Sequence, residues 1–256
     1  MRKPLIAANW KMYKTPAEAE SFLHAFLPLV EGHTRNEIVL CPSFVALAPV
    51  LAAIKGSAHP AHPHPRIHVG AQNMHFAAEG AYTGEISAGM LSALGVTHVI
   101  IGHSERRQYF GETDELLNRK LAAALEKRLI PILCVGETEQ EREQGKTEEV
   151  LSRQIGRAIS QIEPGKLEPM VVAYEPVWAI GTGKTATPLM AADAHLMIRT
   201  HVAQLVGRPI AEALRILYGG SVKPDNATSL LSQPEIDGAL VGGASLDPAS
   251  FARIIQ

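Results

Sequence analysis

Short apolar runs recur along the whole chain, and each is bounded by a glycine, proline, asparagine or charged residue. Eight of them have the length and composition of buried strands. In chain order they read LIAANW, EIVLC, RIHVGAQN, HVIIG, PILCVGE, MVVAYE, RILYGG and GALVGG. Segments of helical character separate most of them. The pattern therefore predicts a repeating unit of strand, loop and helix.

The first helical segment has a clear start signal. Residues 15–18, Thr-Pro-Ala-Glu, have the form of a capping box with proline at the first helical position. Apolar residues then recur with helical spacing up to Gly32, at Phe22, Leu23, Phe26, Leu27 and Val30. We expect the first helix to begin at Pro16.

Near-continuous apolar strands that alternate with helices indicate a parallel sheet covered on both faces. Eight such units in 256 residues match a closed barrel. We therefore predict an α/β fold, a closed parallel (β/α)8 TIM barrel, with residues 1–256 as a single domain. A doubly wound open sheet is the alternative. In a barrel the carboxyl ends of the strands carry the chemistry.

Composition narrows the choice of partners and location. Lys plus Arg (24) nearly balance Asp plus Glu (26), so no broad positive field would attract nucleic acid or a membrane surface. The amino-terminal apolar run ends at Asn9, too short for a signal-peptide core, and no run approaches the roughly 18 residues of a membrane span. Cys41 and Cys134 lie in predicted strands, which favours reduced thiols. We expect a cytoplasmic protein that binds a small ligand.

One segment breaks the pattern. GSAHPAHPHP, residues 56–65, should run as an extended surface link between the second helix and the third strand. Histidines that alternate with proline, such as His62 and His64, lack the geometry of a closed metal site. No metal is expected there.

Polar residues cluster where the predicted strands end. They are Asn9, Lys11, Gln72, Asn73, His103, Glu137, Glu175, Ser221 and the pair Gly242-Gly243. Alternation sends Asn9 and Lys11 to the same side, where an amide beside a cation suits an oxyanion or phosphoryl group. A solvated lysine at a strand end is the alternative for Lys11.

Glu175 lies in AYEPVWAIGTGK, directly after an apolar strand. Pro176 stiffens the exit, Trp178 and Ile180 add apolar surface, and the glycines allow unusual backbone conformations. This composition indicates a lid that folds over the glutamate. Because exclusion of water raises the proton affinity of a carboxylate, Glu175 is the candidate general base. The alternative is a carboxylate that caps the next segment or pairs with a surface cation.

The GTGKT sequence within the same loop also resembles the end of a phosphate-binding P-loop. The spacing fails, because the first glycine of that motif would fall at Trp178. A dinucleotide fingerprint fails too, since Ala186 occupies its third glycine position. Nucleotide binding is not expected.

His103 follows the HVIIG run and precedes Ser104, which we expect to cap a helical turn. The positive end of a helix dipole disfavours the imidazolium ion, so a neutral ring could donate to a carbonyl oxygen and shuttle protons. The alternative is a polar residue that only ends the strand. Gly219-Gly220-Ser221 and Gly242-Gly243 follow the last two strands, where barrels commonly present backbone N–H groups to a phosphate. Tight turns without a ligand are the alternative there.

Taken in order, the motifs resemble the triosephosphate isomerase family over essentially the whole chain. They are NWKM, CPSF, GAQN, YTGEIS, IGHSERR, ILCVGE, AYEPVWAIGTGK, YGGSV and VGGASL. The resemblance implies proton transfer between adjacent carbons of a triose phosphate through an enediol or enediolate, with no cofactor and no metal. The resemblance also implies acid and base groups with tuned pKa values and a loop that closes over the substrate.

The resemblance also implies a role for each site residue. Glu175 would be the base, His103 the electrophile and Lys11 the cation that stabilises negative charge. Asn9 would orient the carbonyl side and Glu105 would pair with Lys11. The remaining residues would act on the phosphate or the lid: Gly181, Ser221, Gly242 and Gly243 as phosphate donors, and Tyr218 as a latch.

The segment from Gln72 to Ser87 resembles the family's long third loop, which inserts into a neighbouring subunit. We therefore expect a homodimer with Thr83 close to the partner's Asn9 and Lys11. Two other readings stay open at this point. The chain could be another phosphate-binding barrel enzyme, or a non-catalytic interaction protein on the same scaffold.

Overall fold

The computed structural model describes residues 2–56, 67–180 and 184–256. Eight parallel strands pair in chain order, and the last pairs with the first to close the barrel. The strands are β1 Leu5–Asn9, β2 Glu37–Cys41, β3 Ile67–Ala71, β4 His98–Ile101, β5 Ile130–Val135, β6 Val171–Tyr174, β7 Arg215–Tyr218 and β8 Gly238–Val241. The predicted (β/α)8 barrel is confirmed and the open-sheet alternative is wrong.

Helices follow the strands and cover the outside of the barrel. They are α1 Pro16–Phe26, α2 Leu47–Gly56, α3 Ala88–Leu94, α4 Ser104–Phe110, α5 Asp114–Glu126, α6 Glu139–Glu143, α7 Thr147–Ala158, α8 Pro188–Val206, α9 Arg208–Ala213, α10 Pro224–Leu231 and α11 Pro248–Ile255. The capping box predicted for α1 is present, with Thr15 and Glu18 exchanging hydrogen bonds. Among the described helices, none is long and apolar enough to cross a bilayer. Apart from Gly56, the His/Pro-rich segment lies outside the described residues.

The strands are buried on both faces, which explains their near-continuous apolar sequences. One set of alternate residues fills the inside of the barrel: Leu5, Ala7, Val39, Cys41, Ile100, Ile132, Cys134, Val171, Ala173, Leu217 and Leu240. The other set, with residues such as Ile6 and Leu40, packs under the helices. Because the interior is filled, a ligand can be held only at the ends of the strands.

Charged side chains close the amino-terminal end of the barrel. Arg199 of α8 is 9% exposed and donates to the carboxylates of Glu235 and Asp237 at 2.8 Å each. It also donates to the carbonyl oxygens of Ala211 and Leu214 at 2.7 and 2.8 Å. These contacts fasten α8 and α9 to the residues that enter β7 and β8.

Candidate functional site

A cavity of about 720 Å³ lies at the carboxyl ends of the strands. It brings together eight residues singled out from the sequence: Asn9, Lys11, His103, Glu105, Glu175, Ser221, Gly242 and Gly243. Gly219 and Gly220 also line it, whereas Gln72, Asn73, Glu137 and Tyr218 lie outside its lining. Gly181 falls outside the described residues. The ends of five strands, β1, β4, β6, β7 and β8, thus contribute to a single concave surface.

Glu175 comes directly after β6 and is only 2% exposed. One carboxylate oxygen lies 2.9 Å from His103 Nε2, and the other accepts the backbone N–H of Ser104 at 2.9 Å. The Ser104 hydroxyl adds a longer contact of 3.4 Å. A Cβ atom on Gly219 would lie 2.9 Å from Glu175 Cγ, so the glycine allows the carboxyl end of β7 to pack close to the Glu175 side chain.

These contacts determine the ionisation of Glu175. Burial raises the pKa of its carboxyl group, but the adjacent His103 ring and the Ser104 N–H lower it by more than burial raises it. The net pKa therefore lies below its ordinary value. Exclusion of water therefore acts in the expected direction, but in this arrangement the contacts with His103 and Ser104 outweigh it. The carboxylate is held as an anion until it leaves these two partners.

His103 is itself the cap of α4, because its Nδ1 accepts the backbone N–H of Glu105 at 3.3 Å. The expected cap, Ser104, instead opens the helix, and its N–H and hydroxyl are taken up by Glu175. With Nδ1 accepting, the ring proton belongs on Nε2, which donates to Glu175. The ring is thus oriented on both sides.

Two effects oppose each other at His103. Burial lowers the pKa of the ring, while the neighbouring Glu175 carboxylate raises it, and the net pKa lies above its ordinary value. The sequence-based expectation of a lowered pKa is therefore wrong while Glu175 is in contact. The accepted bond at Nδ1 favours the neutral ring, which is the form left once the carboxylate moves away.

Lys11 has an unusual backbone conformation, with φ at 51° in the left-handed region. Its N–H donates to Asn9 Oδ1 at 3.0 Å. Its Nζ lies 2.5 Å from Glu105 Oε1 and its Cε borders Gly242. The ammonium group therefore stands between a carboxylate and the glycine pair after β8.

The first part of the loop after Glu175 is anchored through a residue whose partners the sequence did not indicate. Glu137, completely buried, accepts the Trp178 indole N–H at 2.9 Å and the Tyr174 hydroxyl at 3.0 Å. Arg142 reaches the same carboxylate at 3.2 Å and lies over the Trp178 ring. A glutamate at the end of a buried strand was the available signal, but its partners are 37 and 41 residues away.

The far side of the loop is anchored as well. Lys184 forms an ion pair with Glu139 of α6. Burial raises the pKa of Tyr218 to about 12, and its hydroxyl faces the backbone of Ala186 without meeting hydrogen-bond geometry. The predicted latch residue therefore points at the segment that follows the lid. The tip, Gly181 to Gly183, lies outside the described residues.

The two glycine pairs differ in their surroundings. A side chain on Gly220 would collide with the Tyr218 hydroxyl at 2.3 Å, so the first pair is needed for packing as well as for access. Gly243 has open space where a side chain would project and begins a 3-10 helix, Gly243–Leu246, at the edge of the cavity. Within the described parts of the chain, no group of three or more His, Cys, Asp and Glu could hold a metal ion.

The fold and this cavity define a (β/α)8 barrel protein with a buried carboxylate and imidazole in contact at the carboxyl ends of its strands. Comparison with known proteins then specifies the family. The family model for triosephosphate isomerase matches residues 4–256. The chain belongs to the triosephosphate isomerase family.

Individual relatives agree over their full length. The chain is 57% identical to a triosephosphate isomerase from Solibacter usitatus over 256 residues, which cover all of both proteins. It is 52% identical to the protein of that name from Carboxydothermus hydrogenoformans and 51% identical to that from Chloroflexus aurantiacus. In both cases the match covers all of this chain and 99% of the relative.

Proposed function

We propose that this protein interconverts dihydroxyacetone phosphate and D-glyceraldehyde 3-phosphate. Membership of the family supports the reaction, and the observation that carries it is the contact of Glu175 with His103 Nε2 beside Lys11 in one cavity. Moving a proton between adjacent carbons requires a base, a donor for the carbonyl oxygen and a cation for the charge that develops. The cavity contains one group of each kind.

In the proposed reaction Glu175 removes a proton from the carbon beside the carbonyl, and the carbonyl oxygen accepts a hydrogen bond from His103 Nε2–H. The enediol or enediolate that results regains the proton on the neighbouring carbon from Glu175. In the same conversion His103 moves a proton from the hydroxyl oxygen of the first carbon to the former carbonyl oxygen, so no atom is gained or lost. Glu175 first has to leave Ser104, which now holds it in the low-pKa arrangement. The loss of those contacts, in a site closed to water, raises its basicity at the time of reaction.

The remaining residues bind and orient the substrate. We assign the phosphate to the end of the cavity formed by Ser221, Gly242 and Gly243, where a 3-10 helix begins. Lys11 lies between that end and Glu105, close enough to Gly242 to share the phosphate. Asn9, 5% exposed, orients the carbonyl side. Tyr218 and Gly181 remain proposed latch and phosphate contacts of the lid.

The test is conversion of glyceraldehyde 3-phosphate in the presence of a chelator, with product reduction followed by cofactor absorbance. Glu175→Asp retracts the carboxylate by about one methylene, so turnover should fall about a hundredfold or more with little change in inorganic phosphate affinity. Glu37→Asp, at the opposite end of the barrel, is the matched control and should keep wild-type turnover. A folded wild type without turnover would contradict the proposal and favour another phosphate-binding barrel enzyme.

We also propose a homodimer formed through the loop from Gln72 to Ser87. Large apolar side chains are exposed on the face that carries this loop and the loops after β1 and β4, including Met12 at 95% and Phe110 at 67%. A second cavity of about 240 Å³ opens there beside Lys11, and Thr83 of the partner subunit would enter it. Such a contact would fix the Lys11 loop from outside.

Sedimentation of the full chain tests the dimer, with Thr83→Arg placing a bulky charge at the expected contact. We expect a dimer for wild type, dissociation for the variant and a loss of turnover with it. A fully active monomer would contradict the proposal.

We further propose that residues 1–256 act as one domain and that the protein is cytoplasmic. The two buried free thiols of Cys41 and Cys134 support the cytoplasmic location.

A further inference from the structure

The side-chain amide of Gln72 joins the ends of three neighbouring strands. Gln72 comes directly after β3, and its Nε2 donates to the carbonyl oxygen of Lys11 at 2.9 Å. The same nitrogen donates to the carbonyl oxygen of Cys41, the last residue of β2, also at 2.9 Å. That carbonyl in turn accepts the N–H of Trp10 at 3.1 Å. The amide is therefore built into the backbone that carries Lys11.

Lys11 needs such support because its φ of 51° is unfavourable for a residue with a side chain. Residues remain in this region only when their surroundings fix them there. Asn9 accepts the N–H of Lys11, and Gln72 binds its carbonyl oxygen. Both backbone polar groups of the strained residue are thus held by side chains.

The direction of the Lys11 side chain depends on this conformation. Relaxation of φ to the usual negative range would rotate the Cα–Cβ bond and move Nζ away from Glu105 and the cavity. Among the described residues, Gln72 is absent from the lining of the 720 Å³ cavity. It lines instead the 240 Å³ cavity on the other side of Lys11, so its direct contact with the ligand site is through the backbone of Lys11.

We propose that Gln72 is a positioning residue that holds Lys11 in the left-handed conformation required for anion binding. The inference rests on the proposed function, since the role of Lys11 is part of it. Loss of the amide should weaken binding of the phosphate group more than it slows the turnover of bound substrate, because the base and the electrophile are left in place.

The test is Gln72→Leu, which keeps similar bulk and removes both donated bonds. We expect KM for glyceraldehyde 3-phosphate to rise about tenfold, with kcat within about threefold of wild type. The Kd of inorganic phosphate, measured by calorimetry, should rise by the same factor as KM. A purely structural role would lower stability without separating KM from kcat.

Asn118→Leu is the matched control. The Asn118 side-chain nitrogen also donates to two backbone carbonyls, those of Ala158 and Ser160, at 2.8 Å each, far from the cavity. We expect it to lose stability as Gln72→Leu does while KM and the phosphate Kd stay at wild-type values. A rise in KM for this control would overturn the assignment to Gln72.

Gln72→Glu covers the case in which the leucine variant fails to fold. It keeps the length of the side chain but has no N–H to donate, so the phosphate Kd should rise at least as much. Wild-type KM and phosphate Kd in a folded Gln72 variant would overturn the inference. A wild type that binds phosphate without isomerising the substrate would contradict only the proposed function. The role of Gln72 would still be tested by comparing the phosphate Kd of the Gln72 variants with that of wild type.

Discussion

The two ends of the barrel bury charged side chains in different ways. At the amino-terminal end, Arg199 donates to four protein oxygens, and Asp237 beside it also accepts the N–H of Ile216 at 2.9 Å. At the carboxyl-terminal end, Glu175 is buried more deeply than Arg199, yet it borders the 720 Å³ cavity. Its strongest contacts are with His103 and Ser104, which are themselves part of the site.

The difference separates stability from function. A buried charge surrounded by protein partners is needed for the folded state, because removing one member leaves the others desolvated and unpaired. A charge that faces a cavity keeps bonding capacity for a ligand, and the protein can lose it with little change in stability. The comparison predicts that replacing a cation with methionine mainly lowers stability at the amino-terminal end and mainly lowers activity at the carboxyl-terminal end.

The largest effect is expected at the amino-terminal end. Arg199→Met should lower the free energy of unfolding by about 3–5 kcal/mol, because it removes the Arg199 partner of the buried Asp237 carboxylate and the donor to the carbonyl oxygens of Ala211 and Leu214. The measurement is urea unfolding at a fixed protomer concentration. The folded variant should keep wild-type kcat/KM.

Arg157→Met is the control for Arg199→Met. Arg157 also pairs with a carboxylate, that of Glu115, but its side chain is 57% exposed. A much smaller loss of stability is expected there. Equal losses in the two variants would show that burial does not decide the contribution of these pairs.

The next effect in size is expected at the other end, from Lys11→Met. Its pair with Glu105 is partly exposed on both sides, so stability should change by less than about 1 kcal/mol. By contrast, kcat/KM should fall about a hundredfold, equivalent to about 2.7 kcal/mol. Steady-state kinetics and urea unfolding of the same preparation check both parts. Wild-type kinetics in this variant would remove Lys11 from the proposed site.

The same division explains what the sequence could predict. Strand positions follow from local apolar runs, and β2 coincides with the run EIVLC. Polar residues at strand ends, such as Lys11 and Glu175, are conspicuous because charged side chains are rare next to buried apolar strands. The fold and most of the cavity lining could therefore be predicted from local sequence.

The remaining features depend on contacts between distant residues. The local sequence predicts Ser104 as the helix cap, but the Ser104 N–H donates to the carboxylate of Glu175, 71 residues away. His103 caps the helix instead. The net pKa shifts of Glu175 and His103 depend chiefly on the contact between these two side chains, which are 72 positions apart in the sequence. The left-handed backbone of Lys11 and its support by Gln72 likewise require the register of three strands. No local pattern contains this information.

The smallest of the three effects concerns pH and compares histidines at the two ends. His98, at the start of β4, is 1% exposed, and burial, with His68 and Arg215 nearby, lowers its pKa to about 3. Below pH 6.5, the ordinary pKa of the ring, the unfolded chain binds a proton at His98 and the folded chain does not, so stability falls as the pH falls toward the folded pKa. Lowering the pH from 7 to 5 should therefore reduce the free energy of unfolding by about 2 kcal/mol, and His98→Asn should not show this loss.

His103 has a raised pKa and acts with the opposite sign, so its contribution to stability is lost as pH rises. Urea unfolding from pH 5 to 8 measures both, with the exposed His24→Asn as control, and an unchanged slope in His98→Asn would show that burial of His98 does not govern the acid sensitivity.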